Sequence, residues 1–329
     1  MKVHRNIDQL PAFRNAVITI GTFDGVHMGH RQVIGELIKE AKAINGESVI
    51  ITFHPHPRKI VSSAILGIRL INTLDERIAL LKQLGIDHLV VVPFTEVFAN
   101  QLAEEYIRDF LVARFHPHTI IIGYDHRFGR DRQGNYKLLE ERTAEFGYQL
   151  KEIPKHVLDD ISISSTNIRE DILHNKIESA NQLLGYEFFF SGEVTHGDKL
   201  GRELGYPTAN LRIADEEKIT PGNGIYAVYA EVVDVSSSSQ PIAIGWSLVN
   251  KEASTDLRLK GMMSIGFRPT VNGKTRVIEV NLFDFNEQIY GQELRVYVKK
   301  YLREEIKFES LEKLVAQIDQ DKVESLKAL

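Results

Sequence analysis

Apolar residues in the first half of the chain fall in short unbroken runs: 16–20 (AVITI), 48–53 (SVIITF), 88–94 (HLVVVPF) and 119–123 (TIIIG). They are β-branched and apolar at successive positions, so both faces of each strand expect cover, as in a parallel sheet. The stretches between them have helical spacing. Val33, Ile34, Leu37, Ile38 and Ala41 share one face after Gly29. Ile78, Leu81 and Leu84 follow Asp75, and Gly85 marks a stop. Tyr106, Ile107, Phe110 and Leu111 mark a third helix. Strand–helix alternation predicts βαβ units in a doubly wound α/β sheet, with ligands beyond the carboxyl ends of its strands.

From about residue 186 the period changes. Residues 225–235, 241–250, 257–265, 276–285 and 294–301 read as strands, with turn signals at 221–224 (PGNG), 236–239 (SSSS) and 271–274 (VNGK). This predicts an antiparallel β-barrel or sandwich. A closing helix over 310–326 carries Leu311, Leu314, Val315 and Ile318 on one face. The expected domains are 1–185 and 186–329.

Composition narrows the function classes. A length of 329 residues suits two domains with separate cores. A formal charge of −5 argues against a nucleic-acid partner. With no cysteine, disulfides, thiolate nucleophiles and Cys-based metal sites are excluded. No apolar run reaches the roughly 18 residues of a membrane span. A cytoplasmic protein with no membrane partner is expected. Eleven of the twelve histidines precede residue 180, which suggests different chemistry in the two halves.

The sharpest motif is GTFDGVHMGH at 21–30, where a predicted strand runs into a predicted helix. Gly21, Gly25 and Gly29 allow close backbone approach to a ligand. The helix N-terminus offers unpaired N–H groups to phosphate. His27 and His30, three apart, can donate to phosphate oxygens and stabilise a leaving pyrophosphate. A glycine-rich turn with two surface histidines, or a metal pair, are the other readings. G-x-G-x-x-G is missing, and Gly273-Lys274-Thr275 lacks the upstream glycine of a P-loop.

This motif resembles the HxGH signature of nucleotidylyltransferases. With its neighbours it is similar, more narrowly, to the bacterial bifunctional riboflavin kinase/FAD synthetase family. The flavin block stands at 123–134 (GYDHRFGRDRQG) and a further block at 163–169 (ISSTNIR). Read by themselves, the first follows a strand end and carries Asp125, Arg127, Arg130 and Arg132, and the second suits a helix N-cap. The resemblance implies nucleotide contacts at Gly21, Phe23, Gly25, Gly29, Ser165, Thr166 and Arg169. It implies flavin contacts at Asp125, Arg127 and Phe128. His126 stands where the family usually has Phe.

A second signature lies at 192–211 (GEVTHGDKLGRELGYPTANL). Gly197, Gly201 and Gly205 recur every four residues, which a regular helix tolerates poorly and a flexible phosphate-covering loop would want. Thr208 and Asn210, two apart, share a face in extended chain and are hard ligands suited to Mg²⁺ beside ATP. Without the glycines, residues 207–210 (PTAN) would read as a turn. On the strand 276–285, Ile278, Val280 and Leu282 alternate to one face and Glu279 to the other. The block at 192–211 resembles the family's riboflavin kinase motif. By that resemblance Gly197, Gly201, Arg202 and Gly205 contact nucleotide, Glu279 is the base for the riboflavin hydroxyl, and Arg303 contacts flavin. Ser264 and Asn281 depart from the family's usual Asn and His.

The resemblance spans roughly residues 12–325. It implies phosphorylation of riboflavin to FMN, then adenylylation of FMN to FAD, with ATP as co-substrate and Mg²⁺. The partners are small molecules: riboflavin, FMN, FAD and ATP. Assembly into a homo-oligomer is left open. The competing readings are a mono-functional nucleotidylyltransferase with a flavin-binding barrel and a non-catalytic flavin carrier.

Overall fold

All four apolar runs of the first half fold as neighbouring strands of one sheet. The computed structural model describes residues 1–61, 69–123, 126–153, 164–197, 200–233, 258–270 and 273–329. The chain divides into two units, Met1–Ser164 and Ser165–Leu329.

The first unit holds a six-stranded sheet: β1 (Lys2–His4), β2 (Val17–Ile20), β3 (Ser48–His54), β4 (His88–Pro93), β5 (Thr119–Gly123) and β6 (Gln149–Ile153). The order is β1-β4-β3-β2-β5-β6, and every pairing is parallel. All four residues of β2 are buried, as are the first six of β3, because helices cover the sheet. The chain steps from β2 to β3 and β4, then returns to add β5 on the other flank of β2. The crossover direction therefore reverses between β2 and β5, where open α/β sheets bind ligands. Both N-terminal motifs start there, one after β2 and one at the end of β5.

The helix Met28–Ala43 buries Ile34, Leu37 and Ala41, matching the predicted stripe. The helix Leu74–Gln83 starts at a capping box between Thr73 and Glu76. The third predicted helix is wound as a π-helix over Tyr106–Val112, with Tyr106, Ile107, Phe110 and Leu111 buried. The sequence pattern did not announce β1 or β6. Both are short edge strands with mostly exposed, polar positions.

The second unit is a closed antiparallel barrel of β7 (Phe189–Thr195), β8 (Ala209–Arg212), β9 (Gly224–Val233), β10 (Leu259–Thr270), β11 (Gly273–Leu282) and β12 (Glu293–Arg303). The order around it is β10-β11-β8-β7-β12-β9. The predicted closing helix is Leu311–Ala328, capped by Ser310. The predicted strand at 241–250 lies outside the described residues.

The expected boundary at 185 differs from the division at Ser164. Two helices, Ser165–Leu173 and Ile177–Leu184, cluster with the barrel. Ile177, Ala180 and Leu184 are buried. The Asn181 carboxamide accepts from Phe188 N–H at 2.7 Å and donates to the Val298 carbonyl at 2.9 Å, which ties the second helix to the barrel.

Candidate active sites

In the first unit, Gly21 N–H donates to the Ile51 carbonyl as β2 ends. The chain then takes positive φ at Phe23, Gly25 and Val26. Phe23 is buried, with its ring against the Gly21 α-carbon and edge-on to His30 at 5.2 Å. It braces the turn from inside. His27 caps the helix Met28–Ala43, its Nδ1 accepting from His30 N–H at 3.4 Å. The two imidazoles stack at 3.6 Å and 16°. A neutral His27 that accepts at Nδ1 carries its proton on Nε2. Burial first, then His27 and Arg77, push His30 well below the ordinary histidine range. His30 is therefore a neutral N–H donor at pH 7 rather than a cation.

Two supporting groups went unread in the sequence. The Asp24 carboxylate accepts from Ile71 N–H at 3.2 Å and Asn72 N–H at 3.1 Å. Arg77 is 1% exposed, and its guanidinium donates to the Thr22 carbonyl and to Thr52 Oγ1. Arg77 shares the buried stripe of its helix with Leu80 and Leu81. A charge on an apolar stripe was the available signal.

In the flavin block, Asp125 lies outside the described residues, and Arg127 is exposed. Phe128 is packed in the core: its ring stacks on Tyr106 at 5.0 Å and sits against Gly134. Gly129 has a φ of 71° and presses on the Ala103 backbone, so its lack of a side chain is required. Ser165, Thr166 and Arg169 lie on the helix Ser165–Leu173 of the second unit.

In the barrel, β8 and β11 pair with Asn210 opposite Glu279 and Ala209 opposite Val280. Thr208 Oγ1 donates to Glu279 Oε1 at 3.2 Å. Arg268 donates to Glu279 Oε2 at 2.5 Å. Asn281 is buried and donates to the Pro207 carbonyl at 2.7 Å, which pins the segment before β8. Two cavities adjoin this wall. One, of about 470 Å³, is lined by Arg202, Pro207, Thr208, Val280 and Tyr290 among others. The other, of about 270 Å³, is lined by Thr208, Arg268, Glu279, Arg303 and Asp321 among others. Thr208 faces both.

The glycine segment departs from the flexible loop expected of it. Leu200–Glu203 forms one short helix that contains Gly201. Tyr206 N–H donates to the Gly201 carbonyl and Gly205 N–H to the Arg202 carbonyl, with Gly205 at φ 84°. This is a Schellman ending, which needs a left-handed residue where Gly205 stands. Gly201 lies against the Tyr206 carbonyl, and Gly197 against the Asn210 carboxamide. Close approach of a neighbouring side chain at Gly197 and of backbone at Gly201, rather than looseness, accounts for the first two glycines.

Arg303 is held by Asp321 of the closing helix through bonds of 2.8 and 2.6 Å. Asp319 of the same helix accepts from the Tyr206 hydroxyl. Burial and Asp319 push that phenol up to about 12. Neither aspartate was read as a site residue, because the partner segments are distant in sequence. Among the described residues, no group of three or more His, Asp or Glu side chains could hold a metal. No helix among them is long and apolar enough to cross a membrane.

Comparison with known proteins agrees with this two-part layout. Residues 10–167 match the FAD synthetase family model and residues 184–329 the riboflavin kinase model. A bifunctional riboflavin kinase/FMN adenylyltransferase of Buchnera aphidicola is 36% identical over 98% of this chain and 96% of its own length. The protein of that description from Escherichia coli is 33% identical over 97% and 94%. A crystal structure from Streptococcus pneumoniae described as a macrolide-efflux protein superposes with a TM-score of 0.80 at 28% identity, covering 98% of this chain and 97% of that one. Two family models in tandem, and relatives alike from end to end, establish that the chain belongs to the bifunctional riboflavin kinase/FMN adenylyltransferase family.

Proposed function

We propose that this chain makes FMN from riboflavin on the barrel and FAD from FMN at the head of the parallel sheet, each step using its own ATP. The observation that carries the reading is the bond from Thr208 to Glu279, on a wall that faces two cavities. It sets a carboxylate that can take a proton beside a hydroxyl that can meet a phosphate-bound cation. Family membership supports the choice of substrates.

In the kinase step, Glu279 accepts the proton of the ribityl 5′-hydroxyl. That oxygen bonds to the γ-phosphorus, the bridging P–O bond breaks, and ADP leaves. Thr208 and Asn210 fit Mg²⁺. Thr208 commits its proton to Glu279, which leaves its oxygen lone pairs for a cation, and Asn210 adds a carboxamide oxygen on the same face. When bound, Mg²⁺ offsets charge on the phosphates. Arg202 supplies a cation at the larger cavity. Gly197 and Gly201 let the backbone settle onto the ligand-bearing segment.

In the second step the FMN phosphate, already an anion, attacks the α-phosphorus of ATP, and pyrophosphate leaves. His27 and His30 donate N–H groups to the phosphates at the helix N-terminus. The fixed positive charge nearby comes from Arg77, which holds the turn from beneath. The flavin roles of Asp125, Arg127, Phe128 and Arg303, and the nucleotide roles of Ser165, Thr166 and Arg169, rest on the resemblance.

The test is chromatography of products after incubation with riboflavin, ATP and Mg²⁺. FMN should appear first and FAD after it. Riboflavin left unchanged would overturn the reading.

A further inference from the structure

Glu279 is gripped from two sides. Thr208 holds Oε1 at 3.2 Å, and Arg268 holds Oε2 at 2.5 Å. Arg268 stands on β10 opposite Thr275, whereas Glu279 stands on β11 opposite Ser264. The guanidinium thus reaches back along the wall by four positions to meet the carboxylate. Ser264, Gly266 and Arg268 share one face of β10. Gly266 leaves a gap there, and the Glu305 carboxylate lies against its α-carbon. Both partners of the ion pair are sheltered: Arg268 is 35% exposed and Glu279 21%.

The last torsion of a glutamate is broad, so a carboxylate held at one oxygen still swings. A second donor on the other oxygen fixes its plane. Charge-assisted bonds from an arginine are short and directional, which suits that role. Thr208 alone would leave the base free to turn from the acceptor.

We propose that Arg268 is a positioning residue for riboflavin phosphorylation, fixing the plane of the Glu279 carboxylate so that a lone pair stays aimed at the incoming hydroxyl. This rests on Glu279 being the base. Misaiming the base slows the chemical step and leaves riboflavin binding nearly intact.

The experiment is a double-mutant cycle on the full chain with Arg268→Gln, Glu279→Gln and both together, and Arg268→Lys beside them. Arg268→Gln should lower kcat for riboflavin phosphorylation about 10- to 100-fold. The KM for riboflavin should stay within about threefold, since uniform binding is untouched. Arg268→Lys should recover part of the loss, because charge remains but the planar fork does not. In the Glu279→Gln background, Arg268→Gln should cost no more than about twofold further. FAD formation from supplied FMN, measured on the same samples, should be unchanged, and the retained KM for riboflavin reports that the barrel carrying Arg268 is folded. Should Arg268→Gln lose both activities, Arg268→Lys carries the cycle. Losses that multiply in the double variant, or a raised KM at constant kcat, would overturn the role given to Arg268. An active Glu279→Gln enzyme would remove the base itself, and that single variant separates the two failures.

Discussion

Burial, a stacked neighbour and a guanidinium hold the His30 imidazole neutral, and this fixes both how it acts and what acid does to the fold. Its value lies well below the ordinary 6.5 in the folded chain. Between the two values the unfolded chain binds more protons, so this group's contribution to stability rises with pH. The contribution is present above 6.5 and is lost as pH falls through the folded value. Urea unfolding at about pH 7.5 and about pH 5 checks the sign. The midpoint should fall on acidification, and by less in His30→Gln. Replacing both His27 and His30 by Ala should leave FMN to accumulate and slow FAD formation by about 10²–10³-fold, the usual cost of losing donors to developing charge. Normal FAD output would remove their role. The histidines were legible in the sequence because they sit in a strand–turn–helix frame. Arg77 and Arg268 were not, because each acts through a segment that only the fold brings near.

The turn between β7 and β8 joins local conformation to chemistry. Gly205 ends the short helix at φ 84°, so Gly205→Ala should cost about 1–2 kcal/mol locally. Gly197→Ala is a different lesion. Its Cβ would run into Asn210, so it should raise the KM for ATP and the Mg²⁺ requirement of the kinase step while FAD formation from FMN continues. Magnesium titrations of both activities check this, and equal loss of the two would refute it. The four-residue spacing singled out these glycines as a flexible loop, whereas the chain forms a short helix at 200–203. That spacing could not show that two of the glycines make room for a neighbouring backbone or side chain, because such contacts are not encoded in spacing.

At the level of the whole molecule, two folds follow from two hydrophobic periods. The strands covered on both faces were legible because burial demands continuous β-branched runs, as in β2, β3, β4 and β5. The strands β1, β6 and β8 escaped notice because few of their side chains are buried. The helices at 165–184 cluster with the barrel for a reason no composition shift reveals: Asn181 joins the nearby backbone of Phe188 to the distant backbone of Val298. The central claim is that each fold carries its own phosphate chemistry. Glu279→Gln enzyme, supplied with ATP, Mg²⁺ and either riboflavin or FMN, tests it most directly by chromatography of the flavins. The account predicts FAD from FMN at the normal rate and almost no FMN from riboflavin. Loss of both conversions in the folded variant, or of neither, would contradict it.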